Sequence, residues 1–238
     1  MELRNFVMPG QQPLPQAPYW PGLSKEGKAL AGKAPPPEPE IYLPKWGLWA
    51  DGGGYADGRA VGTGSLGIDY RIAPNWLVGV YGQVYGARRF SGQGGLYTTF
   101  WRNGFYGALS GGAGPNLYTV TGQVGYAFPF CGTLTGPVYA FQYDNIRSTD
   151  FGFGLGALFQ NRVGWWLAYP WGRIMPQVQA MWQYSSVDED PVRRNAAWLG
   201  AGVAFGLTDT WSAYSWYDFE GNSNYQISQW SLGLRYSF

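Results

Sequence analysis

Three consecutive acidic residues are the side chains in this sequence best suited to bind a metal ion. Asp188, Glu189 and Asp190 precede Arg193 and Arg194, and a hard cation such as Ca²⁺ is held by several oxygen ligands of this kind. The segment has neither the ligand spacing of an EF-hand loop nor its glycine. We therefore interpret it as a solvated loop, and we predict no metal site.

Catalytic chemistry has little support in the sequence. The Gly-x-Gly-x-Gly run at 152–156 resembles a phosphate-binding loop, but it has a period of two within an apolar segment and no helix follows it. There is no histidine, and Cys131 is the only cysteine, so imidazole acid–base chemistry and an intrachain disulfide are excluded. No nucleophile lies beside a suitable base. We expect a protein that is not an enzyme and has no cofactor.

The last nine residues have the clearest strand pattern. Positions 230, 232, 234, 236 and 238 are apolar or aromatic, while the positions between them are polar or glycine. A period of two is that of a β-strand with one apolar face. Because an unpaired strand edge is not tolerated in lipid, such a strand at the end of the chain is expected to close a membrane barrel by pairing with the first strand.

The composition agrees with a barrel that crosses a membrane. Charged residues make up 13% of the 238 positions and aromatic residues 18%, and there are 37 glycines. No apolar run is long enough for a transmembrane helix. Strands with alternating lipid-facing residues produce this combination, whereas a net charge of +1 gives no electrostatic reason to expect nucleic-acid binding. We predict an all-β fold, a transmembrane antiparallel up-and-down β-barrel in the outer membrane of a Gram-negative bacterium.

Residues 45–238 are predicted to form the barrel, with twelve strands. The segment 161–173 fits the pattern least well, and ten or fourteen strands are the alternatives. Polar residues on the inner face are expected to pair with one another or to set selectivity; these candidates are Asp69, Arg71, Gln177, Gln179, Gln183 and Arg235. The predicted spans are 46–55, 60–71, 76–87, 94–101, 104–112, 117–128, 134–144, 150–160, 172–185, 195–207, 210–219 and 225–238.

Several tryptophans lie near the predicted strand ends, where amphipathic rings form belts at the membrane interfaces. A soluble lipocalin-like barrel is the alternative, with its apolar face inside. Its outer surface would then be mainly Gly, Ser, Thr and Gln with few charges, which is unsuitable for a soluble protein. We therefore predict lipid outside and polar groups inside. The belt candidates are Trp46, Trp76, Trp101, Trp198, Trp211 and Trp230.

Residues 1–44 differ from the rest of the chain. They contain 10 of the 17 prolines, which favour extended or polyproline-II conformations. The first 20 residues lack the apolar core of a signal peptide. We interpret 1–44 as an extended linker or arm; the alternatives are a segment that lies in the pore or one that contacts a neighbour or the cell wall.

The end of the chain resembles the C-terminal assembly signal of bacterial outer-membrane barrels, through Ser231, Gly233, Tyr236 and Phe238. The order of GSLGID (64–69), GVYG (79–82), GQVGYAF (122–128), GAGVAFGLT (200–208) and the closing GLRYSF resembles the translocator barrel of autotransporters, the type V secretion proteins. The resemblance implies a twelve-stranded barrel, recognition of the last strand by the barrel-assembly machinery, and a segment before the first strand that runs through the pore.

Three functions follow from these observations. The first is an autotransporter-like barrel that anchors its N-terminal segment in the outer membrane or passes it across. The second is a stand-alone small porin, favoured by the Gly, Ser and Gln residues of the inner face. The third is a structural component of the surface coat, with residues 1–44 docking a neighbour. Outer-membrane lipid is the partner common to all three.

Overall fold

The computed structural model describes residues 44–56, 60–86, 90–146, 156–186 and 195–238. No helix in this part of the chain is long and apolar enough to cross a membrane. The strands are β1 Trp46–Ala56, β2 Ala60–Ala73, β3 Trp76–Gly86, β4 Phe90–Arg102, β5 Phe105–Ala113, β6 Leu117–Tyr126, β7 Phe128–Phe130, β8 Thr133–Ile146, β9 Gly156–Ala168, β10 Ile174–Ser186, β11 Asn195–Gly206, β12 Trp211–Gly221 and β13 Gln226–Ser237.

The strands form one antiparallel sheet that closes on itself. Apart from the short strand β7, consecutive strands pair with each other, and β1 pairs with β13 from Gly47↔Ser237 to Ala56↔Ser228. Trp46 and Phe238 exchange two backbone hydrogen bonds, of 2.8 and 2.9 Å, at the end of this pair. The predicted closure by the last strand is confirmed, and it leaves no open edge between the first and last strands.

The barrel wall is twelve strands wide, as predicted, with one short addition. The three-residue strand β7 follows β6 and pairs with the same partner, β8. The two are separated at Ala127, whose amide instead donates to the Gly104 carbonyl at 2.7 Å. Because β6 and β7 occupy one position in the wall, the twelve-stranded antiparallel barrel is confirmed and β7 is an extension of one strand.

The two faces of the wall have opposite chemistry. The outer face carries large apolar side chains such as Leu66 and Leu96, which are 64% and 66% exposed. The inner face carries polar and aromatic side chains such as Asp69 and Gln183, which are 2% and 0% exposed. This is the reverse of a soluble barrel, in which the apolar face is inside, and it is the distribution that a lipid environment stabilises.

Glycines on the inner face make room for aromatic rings from neighbouring strands. The ring of Tyr97 lies over Gly79, and the ring of Tyr214 lies over Gly233. A Cβ atom added to either glycine would overlap with the ring. Cross-strand pairs of this kind fix strand register and fill the space above a residue without a side chain. They explain why the inner positions of the sequence pattern are so often glycine.

The strand predicted at 150–160 is wrong in its bounds. Strand β9 is Gly156–Ala168, so most of the ambiguous segment 161–173 is strand, and residues 150–155 lie outside the described residues. The alternation continues past Phe159 because Arg162 takes an inner position, where it contacts Gln183 of β10. A single charge inside a barrel strand does not end it when the charge faces inward and has a partner. Strand β4 likewise begins earlier than predicted, at Phe90 instead of residue 94.

Candidate functional site in the barrel interior

A buried ion pair joins β2 to β13 across β1, near the end of the barrel where the chain enters the first strand. Arg235 donates from Nη1 and Nη2 to the two carboxylate oxygens of Asp69, at 2.7 and 2.6 Å. Tyr97 donates from its hydroxyl to Asp69 Oδ2 at 2.6 Å, and Trp49 donates to Tyr97 at 2.6 Å. Two-pronged contacts between arginine and carboxylate are among the strongest charge-assisted hydrogen bonds. Two of the predicted inner residues, Asp69 and Arg235, are therefore partners.

Arg71 occupies the inner rim at the same end. Its Nε donates to the Pro44 carbonyl at 3.0 Å, and its Nη1 donates to the Pro74 carbonyl at 2.9 Å. The guanidinium carbon also lies 5.3 Å from the ring centroid of Trp101. Arg71 thus binds the segment that precedes the first strand, at the point where this segment joins the wall.

The prediction that Trp101 belongs to the outer belt is wrong. Trp101 is opposite Tyr106 in register and is two and four residues from Thr99 and Tyr97, which face inward. Side chains at even spacing along a strand share a face, so Trp101 lies on the inner side, beside Arg71. Position near a strand end does not determine which face a side chain takes.

A second polar network occupies the half of the barrel farther from the chain termini. Arg162 of β9 donates from Nε to Gln183 Oε1 at 2.6 Å, and Gln183 donates to Glu220 Oε1 of β12 at 2.6 Å. Tyr225 also donates to Glu220, at 2.7 Å. The network links three positions of the wall, β9, β10 and β12. Low dielectric in such an interior strengthens each satisfied bond.

The prediction that Trp198 belongs to the outer belt is also wrong. Trp198 is 2% exposed, and the guanidinium carbon of Arg162 lies 4.2 Å from its ring centroid. This geometry is a cation–π contact. Its neighbour in β11, Leu199, is 51% exposed on the lipid face, and adjacent side chains of a strand point to opposite faces, so Trp198 faces inward.

The predicted glutamines of β10 all occupy inner positions, with different surroundings. Gln177 is buried, and Gln183 belongs to the network around Arg162. Gln179 is half-buried and donates to Asp218 Oδ1 at 3.4 Å. Asp218 also accepts a bond of 2.7 Å from Trp216 Nε1. The even spacing along β10 therefore places these three amides in one column on the interior wall.

Apolar side chains complete the interior. One cluster contains residues of β1, β2, β3, β6, β11 and β13, together with Tyr225, which immediately precedes β13, so it extends across the barrel rather than along one side. Inner polar residues beside it, including Gln160 and Ser185, are 0% exposed. These two side chains are thus buried. The cluster is Tyr55, Val61, Tyr85, Leu117, Ala196, Tyr225 and Ile227.

The remaining belt candidates lie on the outer surface. Trp46, Trp76 and Trp211 are each 44% exposed, and Trp230 is 57% exposed. The first three are near the end of the barrel that holds the chain termini. Ring pairs extend along the same zone: Trp46 with Tyr70 at 4.7 Å, Trp76 with Phe100 at 6.4 Å, Phe105 with Tyr126 at 4.8 Å and Trp211 with Tyr236 at 4.9 Å between centroids.

Three residues of the assembly signal lie in β13, and the fourth, Phe238, directly follows it. Ser231 is buried inside, and Gly233 lies inside beneath the Tyr214 ring. Tyr236 and Phe238 lie on the outer side and stack, with centroids 5.2 Å apart. The signal therefore combines an inner contact that needs a glycine with an outer aromatic pair at the closing seam.

Arg162, Asp218 and Glu220 are among the interior residues that the sequence did not predict. In both strands, side chains an odd number of residues away are exposed on the outer face: Val163 next to Arg162, and Tyr217 one residue from Asp218 and three from Glu220. This odd–even alternation of exposed residues is the signal that could have identified them as inward-facing. Asp218 and Glu220 were overlooked because the alternation of β12 is interrupted by aromatic residues on both faces.

No protein-family model matches the sequence, and no curated protein matches it either. Solved structures do. The β domain of the Bordetella autotransporter BrkA superposes with a TM-score of 0.64 and 15% identity, covering 82% of this chain and all of that one. The fold is that of an outer-membrane β-barrel.

Other outer-membrane barrels share this architecture. The translocator domain of the autotransporter NalP from Neisseria meningitidis has a TM-score of 0.54 and 14% identity, covering 84% of this chain and 90% of that domain. The NanC porin has a TM-score of 0.57 and 11% identity, covering 80% of this chain and all of the porin. The predicted resemblance to autotransporter barrels and the outer-membrane location are confirmed at the level of the fold. Both translocators and porins are built on it.

Proposed function

We propose that this outer-membrane barrel is a translocator-type anchor that holds its own N-terminal segment at the mouth of the lumen. One observation carries the proposal: Arg71, on the inner rim, donates to the carbonyl of Pro44, the last residue before β1 apart from Lys45. The backbone amide of Arg71 also donates to the Lys45 carbonyl at 2.7 Å. Pro44 is thus held on the inner side of the rim, where a segment that enters the lumen would begin.

The charge of the interior supports the same function. Among the described residues, the inner carboxylates outnumber the inner guanidinium groups that lie deeper than the rim. The segment at 23–33 carries Lys25, Lys28 and Lys33 against one glutamate, so an acidic wall would attract it. The inner carboxylates are Asp51, Asp69, Asp144, Asp218 and Glu220, and the deeper guanidinium groups are Arg162 and Arg235.

Single-channel conductance in planar bilayers tests the proposal. We expect the full chain to show few or small openings and a chain that starts at Lys45 to show larger steps. Arg71→Gln in the full chain should give intermittent openings, because the segment loses its bond at Pro44. Equal open steps in the full and shortened chains would contradict the proposal. Heat-modifiable migration in gels should be checked first for each variant, so that only folded barrels are compared.

A small porin is the second candidate, and the polar inner face favours it. Equal, stable steps in the full chain, with selectivity for cations over anions, would be the expected result for that function. Two further proposals apply to both the translocator and the porin. The last strand is recognised by the barrel-assembly machinery through Ser231, Gly233, Tyr236 and Phe238, and the protein acts without catalysis.

A further inference from the structure

Three cationic side chains lie together on the inner rim of the barrel, at the end that holds the chain termini. The amide of Arg71 in β2 donates to the carbonyl of Lys45, the residue directly before β1. Arg235 lies two residues before the end of β13, and it binds Asp69, which is two residues before Arg71. We call Lys45, Arg71 and Arg235 the cationic arc. It crosses three neighbouring strands of the wall, β2, β1 and β13.

The cationic arc carries more positive than negative charge. Lys45 is exposed, Arg71 is half-buried, and 19% of the Arg235 side chain is exposed, so these cations are accessible to a further group. Among the described side chains of this inner rim, Asp69 is the one carboxylate, and it is held by Arg235. Three cations against one carboxylate leave an excess of positive charge, which attracts an anionic group.

The segment that precedes Pro44 carries the opposite charge. The Pro44 carbonyl accepts a bond of 3.0 Å from Arg71 Nε, so the segment begins at the cationic arc. Residues 34–43, which we call the acidic stretch, contain Glu38 and Glu40 and no lysine or arginine. Because the chain is continuous, these two carboxylates are kept at a high effective concentration near the arc.

The length of the acidic stretch fits the cationic arc. Four of its ten residues are prolines, and in a polyproline-II conformation, with about 3.1 Å per residue, Glu40 would lie about 12 Å from Pro44. Neighbouring strands are about 4.8 Å apart, so the arc from β2 to β13 is about 10 Å long. The acidic stretch can therefore reach from one end of the arc to the other, and its prolines reduce the entropy that this ordering costs.

The charge of the deeper wall favours the rim as the place of the acidic stretch. Asp51 and Asp218 occupy inner positions farther along their strands, where they would repel further carboxylates. We propose that residues 34–43 lie along the cationic arc, with Glu40 beside Lys45 and Arg71. This inference rests on the proposed anchoring of the N-terminal segment, and it adds a control by ionic strength, because exposed ion pairs weaken as salt rises.

Disulfide cross-linking in the full chain tests the position of the acidic stretch. Cys131, the only cysteine, is replaced by serine, and Ile41→Cys is combined with Ser237→Cys on β13 or, as the control, with Ala108→Cys on β5. Ser237 and Ala108 are both half-buried inner residues, and they lie on separate sides of the barrel. In a non-ionic detergent, mild oxidation should join positions 41 and 237, and it should not join positions 41 and 108.

The same cross-link tests the role of charge. Glu40→Gln should lower its yield about two- to fivefold, the range expected for exposed ion pairs, whereas Glu2→Gln, with the same change in total charge, should leave it unchanged. Lys45→Glu should lower the yield as well, and Glu40→Lys/Lys45→Glu should restore it. Salt at about 1 M, where the Debye length is about 3 Å, should weaken the cross-link of the unsubstituted stretch.

Several results from folded full-length barrel would overturn the inference. They are an absent cross-link between 41 and 237, equal cross-linking to 108, and a yield that neither Glu40→Gln nor Lys45→Glu changes. Loss of the cross-link on addition of phosphatidylglycerol would also overturn it, because lipid phosphates would then be the partners of the cationic arc. The anchoring function is judged separately, by the conductance of the full and shortened chains, so a failure of one proposal can be told from a failure of the other.

Discussion

The ion pair between Asp69 and Arg235 should behave as a coupled unit when either partner is removed. Replacing Asp69 by leucine leaves the Arg235 guanidinium inside the barrel without its two bonds, and it also removes the acceptor of the Tyr97 hydroxyl. Breaking a buried pair from one side costs about 3–5 kcal/mol. Arg235→Leu should cost at least as much, because the charge that it leaves without a partner is the more buried one: the Asp69 side chain is 1% exposed and that of Arg235 is 19% exposed.

The double variant Asp69→Leu/Arg235→Leu should be more stable than the sum of the single costs predicts. An apolar pair leaves no uncompensated charge, and replacements of this kind are often close to neutral. We expect a coupling free energy of about 2 kcal/mol, within the range measured for contacting residues. The assay is a double-mutant cycle from denaturant unfolding in lipid vesicles, followed by tryptophan fluorescence.

An exposed pair provides the control, and additivity would refute the reasoning. Arg173 and Asp209 lie 3.0 Å apart with side chains that are 62% and 94% exposed, so the same cycle at this pair should give no measurable coupling. If the losses of unfolding free energy caused by Asp69→Leu and Arg235→Leu add up to that of the double variant within about 0.5 kcal/mol, the buried pair is not a coupled unit.

Three further substitutions test the packing of the two faces. Gly233→Val should destabilise the barrel by about 1–3 kcal/mol through overlap with the Tyr214 ring, and Tyr214→Ala in the same chain should recover part of the folded fraction seen in gels; no recovery would contradict this. Leu66→Arg, in the middle of a lipid-facing strand, should cost about 2–4 kcal/mol in vesicle unfolding, and a cost near zero would argue against lipid contact there. Trp198→Ala should cost about 3–5 kcal/mol because a buried ring is lost; equal costs for Trp198→Ala and Trp230→Ala would show that the two rings do not differ in environment.

The architecture of the barrel was predictable because the period of two is imposed by the pleat itself. Closure by the last strand followed from Trp230, Leu232 and Leu234, which form one apolar face up to the end of the chain. Lipid contact was predicted because the other face, mainly Gly, Ser, Thr and Gln with few charges, is unsuitable as the outer surface of a soluble protein. Local alternation and the absence of transmembrane helices were sufficient for both conclusions, with no knowledge of distant contacts.

The interior was less predictable because its contacts skip strands. Arg162 and Trp198 are separated by one strand of the wall, as are Gln183 and Glu220, and no local spacing reports such a pair. The two wrong predictions for the aromatic belt have a different cause. Trp101 and Trp198 were assigned from their distance to a strand end, although strand parity decides which side of the wall a ring occupies.

The seam between Trp46 and Phe238 determines the order of events during folding. One edge of β1 can be satisfied only by the residues at the end of the chain, so the sheet cannot close while any part of β13 is missing. Contacts between distant parts of a sequence form slowly, and the exposed edge is open to pairing with other chains meanwhile. The interval between the formation of β1 and its pairing with β13 is therefore the period in which this protein most needs protection from aggregation.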